Sequence, residues 1–178
     1  GEYNHLVHIG CLDFPSALRL VDARGAAYDR GAELCGGAMA SCFPIELDEL
    51  LEVVERARNH GSLNVGNLNS PQQHVISGEH AAVNAAIDIL EEEFSIDPVV
   101  IEQRVPMHSS RFRPVADLLE PALAAAKFLP ARRPYLPNVL AQLLPQPDHA
   151  TITSLLLRHV YEPVRWREID LPGGYEAD

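Results

Sequence analysis

The sequence predicts an α/β protein built around one β-α-β-β-α-β unit, with helical pieces before and after it. Three observations lead there. Between residues 38 and 106 short apolar runs alternate with stretches of helical spacing, in the order of a split βαβ sheet. Ahead of that segment Asp13 and Pro15 form a helix-start signal, a capping carboxylate followed by a proline near the first turn. Behind it, after Pro106, a new amphipathic pattern begins. With 178 residues, 47% of them apolar and 22% charged, the chain can bury one sizeable core or two small ones.

Each element has its own signal. Leu6, Val7, Ile9 and Leu12 make a short apolar stretch interrupted by Gly10. Ala17, Leu18, Leu20, Val21 and Ala27 then predict a helix whose register also carries Arg24, with Gly31 and the Gly36-Gly37 pair marking its end. Residues 38–43 read as a strand, and 48–60 as a helix with Leu50, Leu51, Val53, Val54 and Ala57 inward. Residues 62–68 and 73–77 read as paired strands around the turn Asn69-Ser70-Pro71-Gln72. Val83, Ala86, Ile87, Leu90 and Phe94 place a helix over 79–94, Asp97-Pro98 stops it, and 99–105 returns as a strand. This order is that of a ferredoxin-like sheet. Phe112, Val115, Ala116, Leu118, Leu119 and Leu123 give the next helix, residues 135–140 a short strand, and Ile152, Leu155, Leu156, Val160 and Tyr161 the last helix, stopped by Pro163. The stretch 173–178 is a polar tail.

Composition narrows the function. A net charge of −11 and a pI near 5.1 suit a phosphate backbone poorly, so nucleic acid is not an expected partner. Mean hydropathy is −0.06 and no long uncharged apolar run occurs, which gives no membrane span. Three unpaired cysteines, at 11, 35 and 42, point to reduced thiols in the cytoplasm. Eight histidines invite a metal, and His5 with His8 could share a helix face. No cysteine pair or His-Glu-x-x-His spacing accompanies them, so the expectation is no metal.

Two residues stand out. His108 follows a strand signal where a helix begins, a junction that presents side chains from a rigid scaffold; the competing reading is a turn histidine bonded and inert. Arg24 is either a guanidinium fork kept for a carboxylate or a solvent-facing helix-edge arginine. The run from Asn67 to Gln73 reads as pocket lining or as a plain hairpin turn.

Five blocks occur in order along the chain: Gly1-Glu2-Tyr3 with Asp13-Phe14-Pro15-Ser16-Ala17-Leu18-Arg19-Leu20-Val21-Asp22-Ala23-Arg24-Gly25; Gly37-Ala38-Met39-Ala40; Asn67-Leu68-Asn69-Ser70-Pro71 with Gln73 and Val75-Ile76-Ser77-Gly78; His108-Ser109; and Pro163-Val164-Arg165-Trp166. Together they resemble the malonyl-CoA:acyl-carrier-protein acyltransferases of fatty-acid and polyketide synthesis. The resemblance implies an α/β-hydrolase-like large subdomain, here partial and formed by 1–36 and 107–178, with the ferredoxin-like subdomain 37–106 inserted. It implies malonyl transfer from coenzyme A to the phosphopantetheine thiol of an acyl carrier protein through an acyl-serine, with no cofactor beyond the substrate. His108 matches the family's catalytic histidine and Arg24 the arginine that pairs with the malonyl carboxylate. His159 stands where the family usually has a glutamine that helps orient the imidazole, and Asn69 falls among the pocket residues.

The family's nucleophile lies in Gly-x-Ser-x-Gly-Glu, of which this chain carries the final Gly1-Glu2. The serine is therefore expected two residues before Gly1, and the 178 residues are expected to be inactive alone. The alternatives are an acyl hydrolase acting on carrier protein, which Arg24 argues against, and a non-catalytic relic that binds carrier protein. Arg111, Arg113, Arg132 and Arg133 are either a local cationic patch toward an acidic carrier or solvated arginines on a helix and its exit loop.

Overall fold

Asp13 fixes the first long element. Its carboxylate accepts from the Ser16 backbone N–H at 2.7 Å, and proline follows in the first turn of α2 (Phe14–Cys35). In the computed structural model, which describes residues 1–169, a short helix α1 (Glu2–His8) precedes it. Ala17, Leu20 and Ala27 of α2 face inward, whereas Leu18 and Val21 are exposed. The helix runs through Gly31 to Cys35 and ends at Gly36, the first of the expected glycine pair. Gly31 is a packing device: a Cβ there would lie 2.4 Å from Val115 Cγ2 and 2.8 Å from Phe112 Cε2.

The segment after α2 folds as β1 (Ala38–Cys42), α3 (Leu47–Ala57), β2 (Leu63–Leu68), β3 (His74–Gly78), α4 (His80–Phe94) and β4 (Val99–Glu102). The four strands form one sheet in the order β2-β3-β1-β4, each neighbouring pair antiparallel. Leu50, Val53, Val54 and Ala57 of α3 and Ala82, Val83, Ala86 and Leu90 of α4 bury against Ala38, Ala40, Leu63 and Ile76. Each large aliphatic side chain so buried contributes roughly 1.5–3 kcal/mol. Leu51, expected inward, is exposed, because the step from Leu50 to Leu51 turns it out of the arc that Leu50, Val53, Val54 and Ala57 share. β4 stops at Glu102, whose side chain accepts from the N–H groups of Gln103 and Arg104 and turns the chain off the sheet.

The second core is helical. Helices α5 (Arg113–Ala125) and α6 (His149–Tyr161) pack with α1 and α2 around Leu6, Leu20, Phe112, Leu119, Leu123 and Leu156. Between them, the strand expected over 135–140 reduces to one antiparallel bridge, Tyr135 with Leu144. Prolines 134 and 137 leave too few consecutive N–H donors for a ladder. After α6 the chain returns to the sheet. Leu68 N–H donates to Val164 O at 2.8 Å and Val164 N–H to Gly66 O at 2.9 Å, so residue 164 straps the β2 edge. The expected tail 173–178 lies outside the described residues. No helix among the described residues is long and apolar enough to cross a membrane.

Candidate functional site

His108 lies six residues past the end of β4 rather than at its tip. Its φ is +60°, a left-handed conformation that costs a side-chain-bearing residue on the order of 1 kcal/mol or more. Three contacts hold it there. Its own N–H donates to Val160 O at 3.0 Å, Ser77 Oγ donates to Met107 O at 2.6 Å, and Ser109 Oγ donates to Pro106 O at 2.6 Å. The Cβ approaches Gly66 so closely that a Cβ on residue 66 would sit 3.4 Å away.

The imidazole is buried, and its Nδ1 lies 2.8 Å from the carbonyl oxygen of His159. A carbonyl can only accept, so Nδ1 carries the proton and Nε2 the basic lone pair. Both α6 carbonyls used here, 159 and 160, belong to the last helical turn, which has no helical N–H left to bind them. Burial pushes the His108 pKa down to about 4, against the raising effect of the His159 carbonyl; the Arg24 charge lowers it further. The ring is therefore neutral at physiological pH.

Arg24 projects from α2 with its guanidinium 4.0 Å over the ring centroid of Tyr28. None of the ion pairs among the described residues involves it. Its charge is felt by Glu2, His108 and His159 alike, which puts these groups in one electrostatic neighbourhood. Supported on its flat face, the fork keeps its N–H edges for a planar anion.

His159 is a second half of the imidazole pair. Its ring lies 4.9 Å from that of His108 at 38°. Burial, then the charges of His108 and Arg24, hold its pKa well below the ordinary histidine value. Nε2 meets Asn138 Nδ2 at 3.0 Å, and Nδ1 lies 3.1 Å from Glu2 Oε2. Glu2 is buried, takes a hydrogen bond from the Tyr135 hydroxyl, and has its pKa pushed up to about 7 by burial. Beside these groups opens a cavity of about 320 Å³, lined by Gly1, Glu2, His5, Asn138, Val164 and Trp166 among others.

Arg24, His108 and His159 thus come together. Asn69 does not join them through a hydrogen bond: its N–H closes the β2–β3 turn on Gln73 O at 3.0 Å. His5 stacks on Tyr135 and its Nε2 accepts from Leu136 N–H at 3.1 Å, a structural role. Among the described residues no group of three or more His, Cys, Asp or Glu side chains could hold a metal ion. Of the four candidate patch arginines, Arg111 and Arg113 have their guanidinium groups engaged locally. Arg111 reaches Glu79 and Gly36 O, Arg113 lies 5.0 Å over Tyr161, and Arg132 binds Ile9 O through its N–H, with exposed Arg133 beside it. Sequence reading missed Glu2, Tyr135 and Asn138. Glu2 had one available signal, an acid set beside the apolar stretch 3–12.

No protein-family model matches the chain. It is 32% identical over 169 residues to the malonyl-CoA–acyl carrier protein transacylase of Bacillus subtilis, covering 94% of the chain and 53% of that protein. Among solved structures, the malonyl-CoA:acyl carrier protein transacylase of Xanthomonas oryzae superposes with a TM-score of 0.88 at 33% identity, over 94% of this chain and 53% of that one. A malonyl-transacylase solved with its type II polyketide acyl carrier protein gives a TM-score of 0.87 at 30% identity, over 95% and 54%. The chain spans about half the length of the curated relatives it matches.

Proposed function

We propose that this chain, which is similar in sequence and fold to malonyl-CoA–acyl carrier protein transacylases over about half their length, forms the base-and-clamp half of a malonyl-transferring site. The observation that carries the reading is the His159 carbonyl on His108 Nδ1, which leaves Nε2 as a neutral base. In this reading residues 37–106 are an inserted ferredoxin-like subdomain, and 1–36 with 107–178 are part of an α/β-hydrolase-like one.

The chemistry follows from that tautomer. Nε2 takes the proton of a serine hydroxyl supplied from outside these 178 residues as the oxygen attacks the malonyl thioester. A C–O bond forms, the C–S bond breaks, and the proton passes from Nε2 to the departing coenzyme A sulfur. The phosphopantetheine thiol of the carrier then attacks the acyl-serine, its proton returning through Nε2 to the serine oxygen. The transient imidazolium is stabilised by the His159 carbonyl at its other edge. Arg24 pairs with the free malonyl carboxylate, so no cofactor is required beyond the substrate. Among the described residues no serine hydroxyl bonds the His108 ring, so the 178 residues alone are expected to be inactive. Three free, buried cysteines suit a reducing cytoplasm.

Transfer from malonyl-CoA to a holo acyl carrier protein, measured in a protein that joins these residues to the serine-bearing segment, tests the roles separately. His108→Ala is expected to abolish transfer of malonyl and acetyl groups alike. Arg24→Ala is expected to depress malonyl transfer roughly ten- to a hundredfold more than acetyl transfer, since only malonyl loses a charged hydrogen-bonded pair. Equal losses on both acyl groups would remove the clamp from the mechanism.

A further inference from the structure

We propose that Glu2 is a positioning residue of this site: together with Asn138 it clamps the His159 ring, and through that residue's backbone it holds the carbonyl that orients His108. The assignment rests on the reading of His108 as the base.

Three observations carry it. The Glu2 side chain is 1% exposed, a place where a carboxyl group is costly unless it is used. One oxygen takes the Tyr135 hydroxyl; the other, Oε2, has no well-aligned hydrogen bond and lies 3.1 Å from His159 Nδ1, and the Asn138 backbone also favours the carboxylate. Secondly, the ring is gripped from both edges. Asn138 Nδ2 can only donate, so His159 Nε2 accepts and Nδ1 carries the proton toward Glu2. The reversed amide would need the proton on Nε2 and would set the Nδ1 lone pair against a carboxylate oxygen. In its ionised form, which prevails above its raised pKa of about 7, Glu2 therefore selects the tautomer and the amide orientation together.

Thirdly, the clamped side chain and the working carbonyl belong to one residue. The last turn of α6 has no further helical partner, and its carbonyls 159 and 160 hold the His108 ring and backbone. A terminal turn frays unless something outside the helix fixes it. Fixing the His159 ring from α1 and from the loop at 138 does this, and keeps His108 Nδ1–H on its acceptor. The charged and titratable groups that face Glu2 are Arg24 on α2, His159 on α6, Tyr135 and Tyr3.

The test is nitrogen-15 NMR of the histidine rings, beside malonyl transfer, in Glu2→Ala, Glu2→Gln and Asn138→Ala, each made in a protein that joins these residues to the serine-bearing segment. In Glu2→Ala the His108 Nδ1–H is expected to exchange with water at least about tenfold faster, with kcat down roughly ten- to a hundredfold and KM for malonyl-CoA nearly unchanged. Glu2→Gln, which can still accept from Nδ1–H, is expected to restore both. A folded Glu2→Ala protein whose His108 ring resonances and exchange match the wild type would overturn the proposal, as would a Glu2→Gln protein no better than Glu2→Ala. Should Glu2→Ala not fold, Asn138→Ala decides: faster exchange at His108 supports the clamp and unchanged exchange removes it. Survival of transfer in His108→Ala would sink the base reading alone, because the ring resonances report the clamp whether or not His108 moves protons.

Discussion

At the scale of single residues, two buried groups in this site pull stability in opposite directions with pH. His108 has its pKa lowered from 6.5 to about 4, so the unfolded chain binds a proton that the folded one refuses. Its contribution is complete above pH 6.5 and is lost as pH falls through 4. Glu2 has its pKa raised from 4.5 to about 7, so the folded chain keeps a proton that the unfolded one releases. That contribution is complete below pH 4.5 and is lost as pH rises through 7. Each shift corresponds to about 3 kcal/mol at most. Between pH 4.5 and 6.5 they offset each other, and the wild type is expected to show little net slope from this pair. Single variants expose the parts. Relative to wild type, Glu2→Gln should gain stability as pH rises from 4.5 to 7, and His108→Gln should gain as pH falls from 6.5 to 4. Urea unfolding at half-unit pH steps measures both. A wild-type-minus-variant difference that is flat across these windows would mean the groups are not buried in the folded protein as described.

At the scale of elements, α2 contains two glycines that look alike in sequence and differ in packing. Nothing lies within 4 Å of a Cβ built on Gly25, whereas one built on Gly31 would strike Val115 and Phe112, both fully buried. Gly25→Ala should therefore raise stability by about 0.5–1 kcal/mol through helix propensity. Gly31→Ala should lower it by about 1–2 kcal/mol net, because overpacking outweighs the same gain. Denaturation midpoints of the two variants, compared with wild type, check this. The pair also shows what a sequence discloses. Gly31 looked like a helix end because local chemistry alone cannot report an α5 side chain eighty residues away. The capping of α2 by Asp13 and the two sheet-covering helices were legible, since caps and periodicity act within a few residues. Leu51 reads as inward because apolarity looks the same on either side of the edge of a buried arc. In the site, His108, Arg24 and His159 were found through family motifs. Their local spacing left inert readings open. Glu2, Tyr135 and Asn138 were missed because their contact is tertiary, joining α1, the loop at 135–138 and the end of α6.

For the whole molecule, the two cores divide the chain unevenly along its length. The sheet core draws every buried member from 38–96, and the helical core draws its own from 3–35 and 112–160. One is therefore continuous in sequence and the other is assembled from two separated stretches. What ties them is largely polar: the Val164 strap on β2, Ser77 Oγ to Met107 O, and Asn64 Oδ1 accepting from Ser110 N–H and Oγ–H, each at 2.9 Å. A set of hydrogen bonds at a half-wet seam contributes about 1 kcal/mol each, far less than either apolar core. A piece covering 37–106 should consequently fold on its own, with a dispersed amide spectrum and one cooperative urea transition, though below the stability of the same residues in the full chain. The loss should be modest, since the excised unit keeps all four strands and both covering helices and gives up only the strap and the seam. The complementary stretches lack this independence, because α1 and α2 bury against α5 and α6 only once 37–106 has brought them together. A collapsed, undispersed spectrum from 37–106 would show that the polar seam, rather than the apolar core beneath α3 and α4, holds the sheet in place.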